Sequence, residues 1–236
     1  MLIFMIAALF DIDGTLLCLK KKIARDIFIQ VLKDTFDIEI DEGIHIEFAG
    51  RTDYGIILSI FNQLGLPRNL LDSEIDNVYR AIHHNFMTEL SDNCIAPCNG
   101  VINLLNLLHN DSRFALGLST GNFELNARLK LKISGIENYF QFGAFGDNQI
   151  NRLNLPIIAI AKAKEMYPTI QANNCLIIGD THLDIESAHH NNLKSMAVAT
   201  GGIPLSDLLQ FNPSLAFKDF SDYNQVYNSI LNLFNL

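Results

Sequence analysis

Short apolar runs alternate with helix-like segments along most of the chain. The apolar runs are of strand length and occupy residues 6–10, 114–119, 140–145, 175–178 and 196–199. Segments with helical apolar spacing lie between them, at residues 101–109, 124–133, 156–166 and 184–191. Strands that are apolar on both faces are typical of a buried parallel sheet. The alternation therefore predicts an α/β fold with a doubly wound parallel sheet and right-handed crossovers.

One long segment interrupts this alternation directly after the first strand. It contains helix-like stretches at residues 24–36, 54–64 and 73–90, separated by glycine and proline turn signals. No strong buried strand is evident in it, so we expect a smaller helical cap inserted into the core. We assign residues 1–18 and 92–236 to the core and residues 19–91 to the cap. The last segment, residues 220–236, is predicted to be a helix that closes the core.

The apolar amino terminus is too short to cross a membrane. Ten residues, MLIFMIAALF, precede the first aspartate, whereas a spanning helix needs about 20. The run also lacks the basic region and the cleavage site of a signal peptide. We expect a buried strand here, no membrane partner, and a cytoplasmic protein.

Charge and cysteine content narrow the class of partner. The 236 residues carry a formal net charge of −9, which disfavours nucleic acid as a partner. The basic run Lys20, Lys21 and Lys22 is interpreted as the solvated start of a helix.

Four scattered cysteines are expected to be free thiols, as in a reducing cytosol. A zinc site at Cys94 and Cys98 is the alternative, disfavoured because His83 and His84 are adjacent rather than spaced.

Polar residues follow three of the predicted strands at the point where each strand ends. The first strand runs into Asp11, the second core strand into Ser119 and Thr120, and a later one into Gly179 and Asp180. In doubly wound sheets the ligand binds beyond the carboxyl ends of the strands. We therefore expect these residues to converge on one site.

The aspartates at these strand ends predict a metal site. Asp11 and Asp13 lie on the same face of an extended chain, and Asp180 and Asp184 follow another strand. Clustered carboxylates repel one another unless a cation lies among them, and hard oxygen ligands suit Mg²⁺. A simple capping turn at Asp-x-Asp-Gly-Thr is the alternative, and the second acidic motif makes that alternative less favoured.

These motifs together resemble the haloacid dehalogenase superfamily. DIDGTLL (residues 11–17), LGLSTGN (116–122) and IIGDTHLD (177–184) resemble its first, second and fourth signatures, and the order matches over residues 7–202. FAGRTDYGI (48–56) is similar to a stretch in the caps of phosphoglycolate-phosphatase-like members. The resemblance implies a Rossmann-like core, a helical cap and a Mg²⁺-dependent phosphatase acting through an aspartyl-phosphate.

The resemblance also implies a role for each matching residue. Asp11 would be the nucleophile and Asp13 the general acid and base. Mg²⁺ would be held by Asp11, the Asp13 backbone carbonyl and Asp180, with Asp184 assisting. Thr120, Gly121 and Asn122 would bind the phosphoryl group.

The third signature departs from the commonest family pattern, which has a lysine. The corresponding region reads GDNQINRLNLPIIAIAKAKEMYP, residues 146–168. We expect Arg152, just before the predicted helix, to be the phosphate-binding cation. Lys162 and Lys164 lie within that helix and are expected to face solvent.

Alternative interpretations exist for Arg51, for the substrate and for the reaction. Arg51 in the cap is predicted either to bind the far end of an acidic substrate or to pair with a neighbour such as Asp53, and His182 is expected to be an exposed loop residue. Phosphoglycolate or a sugar phosphate is the expected small phosphorylated substrate, and the protein a monomer or homodimer. A phosphomutase and a catalytically silent binding module are the alternatives, and a dehalogenase is disfavoured.

Overall fold

A parallel sheet forms the centre of the molecule. The computed structural model describes residues 5–19, 23–41, 43–91 and 94–236, and within them six strands form this sheet in the order β5-β4-β1-β6-β7-β8. The strands are β1 (Ile6–Phe10), β4 (Phe114–Ser119), β5 (Phe142–Ala144), β6 (Cys175–Gly179), β7 (Lys194–Val198) and β8 (Leu215–Phe217). The predicted α/β class with a doubly wound parallel sheet is confirmed. The run Lys20–Lys22 and the first four residues of the chain lie outside the described residues.

Helices cover both faces of this sheet. The core helices are α4 (Val101–Asn110), α5 (Glu124–Ile133), α6 (Leu155–Met166), α7 (His182–His190), α8 (Leu205–Leu208) and α9 (Tyr223–Leu233). Each of the predicted core helices is present, with ends shifted by at most three residues. The central strand β1 is buried along its whole length, which explains its unbroken apolar sequence.

The interrupting segment folds into helices that lie between two short linker strands. The helices are α1 (Ile23–Phe36), α2 (Asp53–Gln63) and α3 (Arg68–Glu89). The linker strands β2 (Leu17–Leu19) and β3 (Ile95–Pro97) pair antiparallel, so the chain leaves and re-enters the core at the same place. None of the described helices has the combination of length and hydropathy that a membrane crossing requires.

A disulfide joins Cys18 on β2 to Cys98, the residue directly after β3, and corrects the expectation that all four cysteines are free thiols. The antiparallel pairing brings the Cα atoms of Cys18 and Cys98 to 5.2 Å, and their sulfurs are bonded. The sequence separation of 80 residues hid this proximity, since it depends on the strand pairing. The bond also removes Cys98 as a zinc ligand, because its sulfur is not available as a thiolate.

Reduction of this disulfide is expected to lower the free energy of unfolding by about 2–4 kcal/mol, because the bond restricts a long loop in the unfolded chain. The measurement is thermal unfolding with and without a thiol reductant. The double variant Cys18→Ser/Cys98→Ser serves as the control and should be insensitive to reductant. An unchanged melting temperature in wild-type protein whose thiols titrate as fully reduced would contradict the prediction.

Candidate active site

The ends of three neighbouring strands bring the candidate residues together. In the sheet, β1 lies between β4 and β6. Asp11 follows β1, Thr120 follows β4 and Asp180 follows β6. This is where successive strands lie on opposite sides of β1, the position at which doubly wound sheets bind ligands. The predicted convergence is therefore present.

A buried cluster of carboxylates lies at this sheet edge. Oxygens of Asp11, Asp180 and Asp184 all lie within 4.8 Å of one another, and each residue is at most 5 % exposed. The guanidinium of Arg152 contacts this cluster, with Nη2 3.0 Å from Asp11 Oδ1 and in contact with Asp184 Oδ1. A single cation therefore bridges two of the acids.

The charge of this cluster fits a divalent cation. Three carboxylates and one guanidinium leave an excess of two negative charges in a buried space. Burial raises the pKa of Asp11 to about 6, with Arg152 opposing the shift and Asp184 adding to it. Burial, together with Asp11 and Asp184, also raises the pKa of Asp180. The oxygen donors and the uncompensated charge suit Mg²⁺.

The turn after β1 is shaped to place Asp180 beside Asp11. Gly14 has φ +85°, and a Cβ at this position would lie 2.4 Å from Asp180 Oδ2. The Thr15 hydroxyl donates a hydrogen bond to Asp180 Oδ1 at 3.0 Å. The Asp-Gly-Thr sequence thus holds a carboxylate that is 165 positions away in the chain. This is a more specific role than a capping turn.

Asp184 is held from two sides. Its Oδ2 accepts hydrogen bonds from the Thr181 amide at 3.0 Å and the Thr181 hydroxyl at 2.7 Å, which caps α7. Its Oδ1 contacts Arg152. Both oxygens of Asp184 therefore already have protein partners.

Asp13 is held by residues of the neighbouring strand–helix unit. Its Oδ2 accepts hydrogen bonds from Lys130 Nζ at 2.5 Å and from Asn122 Nδ2 at 2.9 Å. Its Oδ1 is buried and has no hydrogen-bond partner among the described residues. The two oxygens of this carboxylate are therefore in different surroundings.

The loop after β4 carries the residues predicted to bind a phosphoryl group. Gly121 and Asn122 line the cavity above the carboxylates. Thr120 is fully buried, and its hydroxyl oxygen accepts hydrogen bonds from the Asn122 amide and side chain at 3.3 and 2.9 Å. The loop is thus organised around Asn122, with Thr120 behind it.

The cap lies directly against this loop. The Asp53 amide donates to the Gly121 carbonyl at 2.8 Å, and the Phe123 amide donates to Asp53 Oδ2 at 2.9 Å. A Cβ on Gly121 would lie 2.0 Å from the Arg51 carbonyl oxygen. Glycine is needed here because two backbones meet.

A cavity of about 610 Å³ lies between the cap and the carboxylate cluster. Charged and polar groups line its core side. On the cap side most lining residues are apolar, and they include Leu19, Phe28, Ile46, Phe48, Ile56 and Phe86. The volume is within the range of small-molecule sites, roughly 300–1,000 Å³.

Sequence comparison identifies the family. Residues 8–198 match the haloacid dehalogenase-like hydrolases. The chain belongs to this family. A search of curated proteins finds no match to the chain.

Solved structures of haloacid dehalogenase-like proteins share the fold. One from Entamoeba histolytica has 21% identity and a TM-score of 0.69, over 98% of this chain and 100% of the other. A protein described as a β-phosphoglucomutase, from Bacteroides vulgatus, has 18% identity and a TM-score of 0.67, over 99% and 92%. A protein described as a predicted phosphatase, from Clostridium acetobutylicum, has 20% identity and a TM-score of 0.64, over 95% and 99%.

In this haloacid dehalogenase-like fold, Arg51 pairs with Glu47 and not with Asp53. Its guanidinium contacts Glu47 Oε2, with Nη2 at 2.6 Å and Nε at 2.9 Å, rather than Asp53. The side chain is 52% exposed and lines the cavity. Arg51 is therefore at the cavity edge, with a counter-ion already in place.

The described lining of the cavity includes neither His182 nor the two lysines of α6, and both lysines, Lys162 and Lys164, are exposed as expected. The His182 ring begins α7 and stacks on Phe211 with centroids 5.2 Å apart, which replaces the expected exposed loop position. Lys162 donates to the Gly143 carbonyl at 2.9 Å. Arg152, rather than either lysine, is the cation that contacts the acids.

Sequence reasoning missed two residues of the site. Lys130 lies among several cationic residues of α5, and nothing in the pattern distinguishes it from Lys132. The sequence pattern assigns Thr15 only to a turn. A threonine directly after Asp-x-Asp-Gly was the available signal for it, whereas Lys130 had none.

Proposed function

We propose that this haloacid dehalogenase-like hydrolase is a Mg²⁺-dependent phosphatase that hydrolyses a small phosphomonoester. The observation that carries the proposal is the buried trio Asp11, Asp180 and Asp184 with the Arg152 guanidinium between two of its members. Phosphoryl transfer to a carboxylate requires positive charge to offset repulsion between two anions. Arg152 supplies part of it, and the remaining negative charge suits a divalent ion.

In this proposal, the reaction proceeds in two steps on Asp11. One carboxylate oxygen of Asp11 attacks phosphorus and forms an aspartyl-phosphate, while the bond to the leaving oxygen breaks. Asp13 gives its proton to that oxygen, and then accepts a proton from the water that attacks the phosphoaspartate. Gly121 and Asn122, which line the cavity, would hold the phosphoryl oxygens, Thr120 would orient Asn122 from behind, and Arg152 would stabilise the charge of the phosphoryl group.

Asp11, the Asp13 carbonyl and Asp180 would hold Mg²⁺, with Asp184 in support. The ion would supply electrostatic stabilisation of the transferred phosphoryl group. Arg152 keeps Asp11 oriented toward the cavity by contact with Oδ1 at 3.0 Å. The cap, proposed as residues 19–91, would exclude bulk water from the core formed by residues 1–18 and 92–236.

The residues on the cap side of the cavity favour some classes of substrate over others. Phosphoglycolate and sugar phosphates are the candidates that the family resemblance implied, and Arg51 at the cavity edge supports an acidic substrate. However, Glu47 already neutralises Arg51, and the cap side is mostly apolar, with Arg25 and Asp53 as its other charged residues. The lining therefore favours small phosphomonoesters with a partly apolar organic group.

A cytoplasmic location and a monomeric or homodimeric state stay predictions.

A phosphomutase is the second candidate, since a protein described as a β-phosphoglucomutase has the same fold. It would share the Asp11 and Asp13 chemistry but return the phosphoryl group to a second hydroxyl instead of water. A silent binding module is disfavoured because the acidic trio, Asp13 and Arg152 are all assembled.

Release of phosphate from 4-nitrophenyl phosphate tests the proposal. With Mg²⁺ we expect multiple turnovers, and with a chelator we expect release to fall at least 100-fold, because the uncompensated carboxylates repel the phosphoryl anion. Excess Mg²⁺ should restore the rate. Equal release with and without chelator would contradict the metal requirement. A phosphorylated protein without phosphate release, which transfers to an added sugar phosphate, would favour the mutase.

A further inference from the structure

A buried lysine outside the recognised motifs contacts the proposed acid and base. Lys130, on α5, is 3% exposed. Its Nζ lies 2.5 Å from Asp13 Oδ2 and 2.6 Å from Asn122 Oδ1. Lysine is almost never fully buried unless it is paired. The structure provides this lysine with partners that belong to the site.

The helix geometry explains how a residue two turns into α5 reaches the strand ends. Long side chains on a helix point back toward its amino terminus. The amino terminus of α5 follows the loop that carries Asn122. Lys130 therefore extends along the helix and meets both Asn122 and Asp13 from behind the loop.

Lys130 also contacts the cap. Its Nζ lies 5.6 Å from the centre of the Phe86 ring, on cap helix α3. One turn earlier on α5, Asn126 Oδ1 lies 3.0 Å from His83 Nδ1, also on α3. Two residues of α3 therefore contact the part of α5 that carries Lys130.

From these contacts we infer that Lys130 is a positioning residue that, with Asn122, holds Oδ2 of Asp13 so that the carboxylic acid can give the proton carried on its other oxygen to the leaving group. The inference rests on the proposed phosphatase function. With Oδ2 held at 2.5 and 2.9 Å, rotation of the carboxylate is restricted, and Oδ1 remains without a protein partner among the described residues. Because Phe86 on cap helix α3 contacts Lys130, this arrangement depends on the position of the cap.

A comparison of two esters that differ in leaving group tests this role. Nitrophenolate leaves readily without a proton, whereas an alkoxide needs one. The substrates are 4-nitrophenyl phosphate and 2-phenylethyl phosphate, both with an aromatic ring for the apolar cap wall. The measured quantity is kcat/KM, which reports the steps up to phosphoryl transfer.

We expect Lys130→Met to reduce kcat/KM for 2-phenylethyl phosphate by about 10–100-fold, and for 4-nitrophenyl phosphate by less than about threefold, as loss of proton donation predicts. Lys132→Met is the matched control, because Lys132 is exposed on the same helix. This control should leave both values unchanged. Lys130→Arg should recover part of the activity toward the alkyl ester.

Equal losses for the two esters, or no loss for either, would overturn the positioning role. If Lys130→Met shows no cooperative thermal unfolding, Lys130→Gln is judged by the same ratio of losses. Wild-type protein that releases phosphate from neither ester would instead overturn the proposed function itself, and this inference with it. The two failures are therefore distinguished by the wild-type rates.

Discussion

Asp11→Asn is expected to reduce phosphate release below about 10⁻⁴ of the wild-type rate, because loss of a covalent nucleophile removes the whole reaction path. The fold should remain. Asparagine has nearly the same shape, and it removes a charge that burial and Asp184 make unfavourable. The measurements are kcat/KM for 4-nitrophenyl phosphate and thermal unfolding at pH 7.5 in chelator.

The pKa of Asp11 determines whether the substitution raises or lowers the free energy of unfolding at a given pH. The pKa of Asp11 is raised to about 6 in the folded protein, above its ordinary value of 3.8. The folded state therefore binds more protons than the unfolded state between these values, and stability from this group falls as the pH rises through about 6. Above that pH the variant should be no less stable than wild type in chelator.

Asp26→Asn provides the matched control, since Asp26 is an exposed aspartate on α1. This substitution should change neither activity nor melting temperature. Substantial turnover by Asp11→Asn, with Mg²⁺ present and the protein folded, would exclude Asp11 as the nucleophile.

Arg152→Met is expected to have the second largest effect, on both activity and stability. Arg152 is the buried cation that contacts Asp11 and Asp184. Its loss leaves these carboxylates without a counter-charge, which costs about 3–5 kcal/mol for a buried pair. We also expect kcat/KM to fall by about 10²–10³, the cost of removing one charge-stabilising group.

The dependence on Mg²⁺ separates this role from simple packing. If the variant is destabilised by uncompensated charge, Mg²⁺ should raise its melting temperature more than that of wild type. Arg152→Lys keeps a cation and should retain part of the activity, and Arg128→Met, at a surface pair with Glu124, should retain all of it. A melting temperature of Arg152→Met that Mg²⁺ does not change would contradict the charge argument.

The core strands were predictable because burial on both faces requires a continuous apolar run in the sequence. Strand β1 and strand β4 occur at the predicted residues, since strands buried on both faces must be continuously apolar. Strand β8 was missed because it is short and only half-buried, so no apolar run marks it. Helix α3 begins at Arg68, five residues before the predicted start; its first three residues are exposed, and Leu71 is the first buried residue of the helix.

The candidate site was predictable where residues sit at strand ends. Asp11, Asp13, Asp180 and Asp184 occupy short motifs whose placement follows from the sheet alone. Arg152, expected just before α6, contacts Asp11, and its role as the phosphate-binding cation stays a prediction. The surroundings of Arg51 did not follow from the sequence, because Glu47 and Asp53 are both close to it in the chain and only the fold of the cap selects Glu47 as its partner.

The amino-acid sequence by itself determined the fold class, the helical insertion and the acidic residues of the site, because these depend on local hydrophobic period and on which residues end each strand. Tertiary structure alone decided the Cys18–Cys98 bond and the contact between Lys130 and Asp13. These pairs are 80 and 117 positions apart. Their partners are chosen by the pairing of two linker strands and by the direction of one long side chain, neither of which leaves a pattern in the sequence.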